Sequence, residues 1–251
     1  MNYTSEYDNK FIIDSDSDSD SDSELAEELS KKCIISSFPE YYKAILSIDI
    51  GIIHLGITVS LIDESYNIQE VIWVDLIDIT QFKCEDDCDL WHQKTFSDWL
   101  SHVFKNEYHF FNDVDVILVE RQPITGITVV EQLIFYEWRN KAILISPRSM
   151  HKFFNIGHLD YDARKVFTEN KARQIIKDPV LNQQLNYFDR IHDIGDSICI
   201  CLFWLNRQKE ILEKERKRKE IMDRNMFLIK ARQTMSIEEW FNHHKYNIVN
   251  S

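Results

Sequence analysis

Four acidic side chains occupy positions where a carboxylate is costly. Asp49 interrupts the apolar run KAILSIDIGIIHLGITVSLI at 43–62, between Ile48 and Ile50. Glu120 closes the apolar run VDVILVE at 114–120, and Asp193 and Asp196 stand three apart in a helical stretch, so both project from one face. An ionised carboxylate inside an apolar element costs several kcal/mol unless it is paired or binds a metal. Gathered at one point, four such groups repel one another and raise their own pKa values, and a divalent cation reverses that logic. Hard oxygen ligands without a nearby cysteine favour Mg²⁺, with Mn²⁺ as a substitute, over zinc. Two such ions about 4 Å apart activate water and stabilise the leaving oxygen in phosphodiester cleavage. Three of the acids also have a plainer reading. Asp49 caps the turn before Gly51, Glu120 pairs with Arg121 or Arg139, and Asp193 caps a helix.

The elements that must position these acids follow from the hydrophobic periodicity. Ala44–Ile50, Ile57–Ile62 and Ile68–Ile77 read as three strands, close enough in sequence for an antiparallel meander. The stripe Trp91, Phe96, Trp99, Leu100, Val103 and Phe104 predicts a helix over Leu90–Lys105. Val114–Val119 is a buried strand, Ile127–Trp138 a helix, and Ala142–Ile145 another buried strand closed by Pro147. Strand, crossover helix and strand in that order imply parallel pairing. A basic helix over Ala163–Lys177 carries Arg164, Lys165, Lys171, Arg173 and Lys177. The last core helix, Ile191–Leu205, shows the packing stripe Ile194, Ile198, Cys201 and Leu205. Arg207–Arg232 extends it with ten basic and five acidic residues, which by itself suits an exposed mixed-charge helix. Trp240 and Phe241 suit the docking of a last short helix.

Taken together, IDIGIIHLG at 48–56, VERQ at 119–122 and DIGD at 193–196 resemble the RuvC-type Holliday junction resolvases of the RNase H-like fold. The nearest look is to their poxvirus and fungal mitochondrial branch, over residues 43–207. The resemblance implies an α/β fold with a mixed five-stranded sheet, its three N-terminal strands antiparallel, flanked by helices. It implies a Mg²⁺-dependent endonuclease that resolves four-way and related branched DNA as a homodimer. Asp49, Glu120, Asp193 and Asp196 then carry over as metal-binding catalytic acids, and Gln122 as their support and a DNA contact. A lysine on the helix before the last is expected near the scissile phosphate, with Lys165 and Lys171 both open. Arg139, Lys141, Arg148, Lys152, Arg164 and Arg173 complete the expected phosphate contacts. Phe153 and Phe154 are either base-stacking residues at the junction or, more simply, core.

Composition sets the outer limits. A length of 251 residues suits one domain with appendages: 1–39 an acidic Ser/Asp tail expected to be disordered, 40–207 the nuclease domain, and 208–251 a helical extension. Of the net charge of −13, the tail holds over half, with ten acidic against three basic side chains. The tail therefore says little about the folded surface, although serines followed by acids suit acidophilic kinases. With five Gly in all, the chain lacks the second Gly-rich phosphate loop of actin-like and sugar-kinase ATPases, and no nucleotide cofactor is expected. Five cysteines suggest reduced thiols. Cys84, Cys88 and His92 lack a fourth zinc ligand, and Cys199 and Cys201 suit an apolar helix face. No apolar run reaches membrane-spanning length, and neither a secretory signal nor an Arg-rich transit peptide opens the chain. These features predict a soluble intracellular protein of a nucleus or a virus-infected cytoplasm, without mitochondrial targeting. The same motifs leave open another RNase H-like nuclease, such as a hybrid cutter or transposase, and a non-catalytic DNA-binding protein on this fold.

Overall fold

The computed structural model describes residues 42–81, 95–104, 110–126, 128–234 and 236. Five strands, β1 Lys43–Ile50, β2 His54–Ile62, β3 Ile68–Asp78, β4 Val116–Glu120 and β5 Ala142–Ile145, form one sheet in the order β3-β2-β1-β4-β5. The first three pair antiparallel, whereas β4 runs parallel to β1 and β5 parallel to β4. The fold is therefore the expected mixed five-stranded sheet with an antiparallel N-terminal meander and flanking helices.

Residue alternation decides which side chains meet. In β1, Ala44, Leu46, Ile48 and Ile50 enter one core layer, while Ile45 enters the other. In β4, Ile117 and Val119 enter the first layer and Leu118 the second. Successive side chains point to opposite faces, so Asp49 and Glu120 share the second face. Register then aligns them across the parallel pair, since Ile48 stands opposite Val119.

The first face is covered by α1 Phe96–His102, α2 Phe110–Asp113 and α3 Thr128–Glu137, with Leu100, Phe111, Val130, Ile134 and Trp138 buried in it. The second is covered by α4 Pro147–Phe153, α5 Tyr161–Ile175, α6 Pro179–Gln184 and α7 Ile191–Thr234. The stripe Ile194, Ile198, Cys201 and Leu205 is buried as expected. Under α7 the sheet presents Ser47, Thr58 and Ser60, all buried, and the Ser197 hydroxyl donates to Thr58 Oγ1 at 3.2 Å. These small polar residues let the helix lie close. Burial pushes the Cys201 thiol up to about 12 and raises Cys199 as well, so both behave as small hydrophobes.

Several boundaries differ from the sequence reading. β2 begins at His54 rather than Ile57, extended by ladder pairing as far as Leu55 with Ile50. The helix expected over Leu90–Lys105 begins at Phe96, where the Thr95 N–H donates to Asp98 Oδ2 at 2.9 Å in a capping arrangement. Pro147 does more than close β5. With Ser146 before it, it opens α4, because proline's missing N–H has no partner to lose in a first turn. Pro179 opens α6 in the same way behind Asp178, whose side chain accepts from the Leu181 N–H. The acidic tail, the Cys84/Cys88/His92 trio and Trp240/Phe241 lie outside the described residues. Among the described residues, no helix is long and apolar enough to cross a membrane.

Candidate active site

The sheet brings Asp49 and Glu120 together, and α7 lowers Asp193 and Asp196 onto them. Two glycines permit that approach. Gly56 is the cross-strand partner of Asp49, and a Cβ on it would overlap the backbone carbonyl of Asp193. A Cβ on Gly195 would overlap the Thr168 carbonyl of α5. Without side chains at these two points, the first turn of α7 wedges between β2 and α5, and its acids face the end of β1.

The four groups act on one another electrostatically. Burial raises the Asp49 carboxyl well above the usual range, and the charges of Glu120, Asp196 and Asp193 raise it further. Burial likewise pushes Asp196 up to about 8, with Glu120 and Asp193 adding to the rise and Arg164 and Lys165 moderating it. Glu120 is raised by burial, against the opposing effect of the Gln122 hydrogen bond. Asp49 and Glu120 also act directly on each other's acidity, as adjacent carboxyl groups do. Asp193 differs from the other three. Arg190 grips it through Nε to Oδ2 at 2.6 Å and a terminal nitrogen to Oδ1 at 3.1 Å. His192 Nε2 lies 3.0 Å from Asp193 Oδ1 but outside hydrogen-bonding alignment.

Acceptor-only oxygens, burial and mutual repulsion fit a divalent cation in donor chemistry. The arrangement as it stands is not a finished coordination shell. Among the described residues, no three His, Cys, Asp or Glu side chains are grouped to hold an ion. Asp193 is turned to Arg190, and Asp49 and Glu120 are turned to each other. Binding would require these carboxyls to exchange their present partners for the ion.

The plainer readings of the acids fare unevenly. No ion pair joins Glu120 to Arg121 or Arg139 among the described residues; its partner is Gln122, whose Nε2 donates to Oε2 at 2.7 Å and to the Ile50 carbonyl at 3.2 Å. Gln122 thus ties Glu120 to the end of β1, with its amide facing the acids. Asp193 is in the first turn of α7, but its oxygens face Arg190.

The expected basic contacts separate into two groups. Arg164 and Lys165 stand beside Asp196, as their effect on its acidity shows. Arg148 and Lys152 line a groove of about 540 Å³ with His151, Asn155 and His158, at the end of the sheet where β5 gives way to α4. The groove lies near the first group, because Arg164 acts on His151. Both members of the first group also have local partners, Arg164 donating to the Leu159 carbonyl at 2.5 Å and Lys165 lying 4.2 Å over the Tyr161 ring, and the rest lie elsewhere or are engaged. The Lys141 ammonium donates to the Asn112 and Val114 carbonyls at 2.7 and 2.8 Å, before the start of β5 and at the opposite end of the sheet from Glu120. Arg139 stacks over Phe135, 5.6 Å from the ring centroid, at that same end. Arg173 donates to Asn186, and Lys171 to Gln174. Phe154 packs with Phe167, and Phe153 with Phe203, so these rings are tied to the helical layer.

Two residues of the site escaped the sequence reading. Glu131 is buried in α3 and accepts the Gln122 backbone N–H at 2.5 Å, anchoring the loop behind Glu120. Its only signal was an acid on the apolar side of a helix. Arg190 precedes Asp193 by three residues, a spacing that alone could have suggested the pair.

No protein-family model matches the chain, and no curated protein matches it in sequence. Among solved structures, the chain is similar to the fowlpox virus resolvase in complex with Holliday junction DNA, with 21% identity over 66% of this chain and 98% of that one, at a TM-score of 0.49. It is similar to the yeast mitochondrial Holliday junction resolvase Ydc2, with 18% identity over 77% of this chain and 93% of that one, at a TM-score of 0.49. It is also similar to Thermus thermophilus RuvC, with 13% identity over 66% and 97%, at a TM-score of 0.41.

Proposed function

We propose that the protein is a Mg²⁺-dependent, structure-specific endonuclease that resolves four-way DNA junctions and related branched DNA. The observation that carries this reading is the meeting of Asp49, Glu120, Asp193 and Asp196 at one end of the sheet, buried and mutually repelling. Asp49, Glu120 and Asp196 would hold the divalent cation, joined by Asp193 once it leaves Arg190; Mn²⁺ would substitute. When bound, the cation supplies water activation and charge neutralisation at the scissile phosphate.

The protein's own residues do the remainder. Gln122 fixes the Glu120 carboxyl against the β1 backbone, and Glu131 fixes Gln122. Arg164 and Lys165 set positive charge beside Asp196, where an incoming phosphate must pass. Lys165 is therefore the better candidate of the two lysines for the scissile phosphate. Arg148 and Lys152 continue that positive surface along the groove after β5, suited to backbone contacts that position DNA without reading its sequence.

A four-way junction has two-fold symmetry, so a homodimer would place one such site on each of two like strands. The test is cleavage of a mobile four-way junction, an RNA–DNA hybrid and a linear duplex, each with and without Mg²⁺. Mg²⁺-dependent paired nicks in the junction alone are expected. Preference for the hybrid, or cutting without a divalent cation, would overturn the reading.

A further inference from the structure

Asp193 is the most buried of the four acids, with its side chain 5% exposed, and among the described residues its one cationic hydrogen-bond partner is Arg190. The pair is bidentate, the strongest arrangement a guanidinium makes with a carboxylate. The two partners differ in freedom. The Asp193 backbone is pressed on Gly56, so its position is fixed by the packing of α7 on β2. Arg190 lies in the turn before α7 with its side chain 39% exposed, and its charge also reaches Asp49. Rotation of Arg190 alone would free Asp193 Oδ2 and leave Oδ1 with His192 Nε2 nearby, at 3.0 Å, without moving either element.

We propose that Arg190 is a built-in counter-ion of the acid cluster, which occupies Asp193 in the metal-free protein and yields it when a divalent cation binds. The inference rests on the metal-binding reading above. It explains why the cluster is tolerated without a cation: Glu120 accepts from Gln122, Asp196 has Arg164 and Lys165 nearby, and Asp193 has Arg190. It also sets the metal threshold, because the cation must displace a guanidinium as well as bind carboxylates. Arg190 is a positioning residue in this account.

Calorimetric titration of the full-length, metal-free protein with Mn²⁺ tests this, alongside its melting temperature without metal. Arg190→Gln should bind Mn²⁺ about tenfold more tightly, since a competing unit charge is gone, yet melt at a lower temperature without metal. Arg190→Lys keeps the charge but loses the fork, and should shift both quantities in the same direction by less. It carries the test if the glutamine variant fails to fold. Asp49→Asn serves as the reference and should abolish binding. If Asp49→Asn abolishes binding while both Arg190 variants bind Mn²⁺ as tightly as the parent or more weakly, the counter-ion proposal fails and the metal site stands. If Asp49→Asn binds as the parent does, the metal reading fails and the proposal with it.

Discussion

At Asp49, the choice of a carboxylate in an apolar strand sets how the metal-free protein responds to pH. Asp49, Glu120 and Asp196 are all raised, so the folded state holds protons that the unfolded chain releases near pH 4. Their stabilising contribution is complete below that pH and is lost as pH rises through their folded values, up to about 8 for Asp196. His192 and His151, both lowered mainly by burial, act oppositely below about pH 6.5. The melting temperature of the metal-free protein should therefore fall between pH 7 and pH 8.5, and fall less in Asp49→Asn. An equal slope in the two proteins would show that Asp49 is not raised. Asp49→Asn and Glu120→Gln should also abolish junction cutting while leaving junction binding within a few-fold, measured by gel shift and strand nicking on one substrate. Asp49 and Glu120 stand out in the sequence because each breaks an apolar run, and Asp193 and Asp196 because their spacing puts both on one helix face. Arg190 and Glu131 do not, because a charged residue on a turn or a helix looks the same whether it faces water or a buried partner.

At the scale of elements, the site depends on how closely α7 can lie on β2. Gly56→Ala places a methyl group against the Asp193 carbonyl, a backbone atom that cannot swing aside. Overpacking of this kind costs about 1–3 kcal/mol, and the displaced helix carries Asp193 and Asp196 away from Asp49. A loss of both melting temperature and Mn²⁺ binding is expected; unchanged binding would mean that the acids do not depend on this contact. Along α5, both lysines lie over aromatic rings, Lys165 over Tyr161 and Lys171 over Phe167, but Lys165→Ala should reduce junction cleavage more than Lys171→Ala, because Lys165 acts on Asp196 whereas Lys171 donates to Gln174. Equal losses in single-turnover assays would contradict that ranking. The strands were readable from apolar runs to within about three residues at their ends, and the parallel pairing followed from the strand–helix–strand order. The two proline-started helices were missed, since a proline after a strand ends one element and opens the next with the same residue. Arg139 and Lys141 lie at the end of the sheet away from Glu120, a placement that sequence, which shows only their charge, does not reveal.

For the whole molecule, α7 is both the floor of the site and a long projection. Its 44 residues span about 66 Å at 1.5 Å per residue. Core packing stops near Leu205, and beyond it Ile221, Met222, Phe227 and Ile229 are exposed. Glu213, Arg216, Lys217 and Glu220 pair along the helix itself, which supports it without a neighbour. Removal of residues 212–251 should thus shift the melting temperature by no more than a few degrees, and a collapse of stability would reveal packing by the omitted segment. The order of the pieces along the chain has its own effect. Strands bearing Asp49 and Glu120 are synthesised long before the turn that bears Asp193 and Asp196, and only the docking of that turn against Gly56 completes the quartet. A nascent or half-folded polypeptide therefore carries two acids without their partners, and the cluster is assembled only after the last core helix has closed over the sheet.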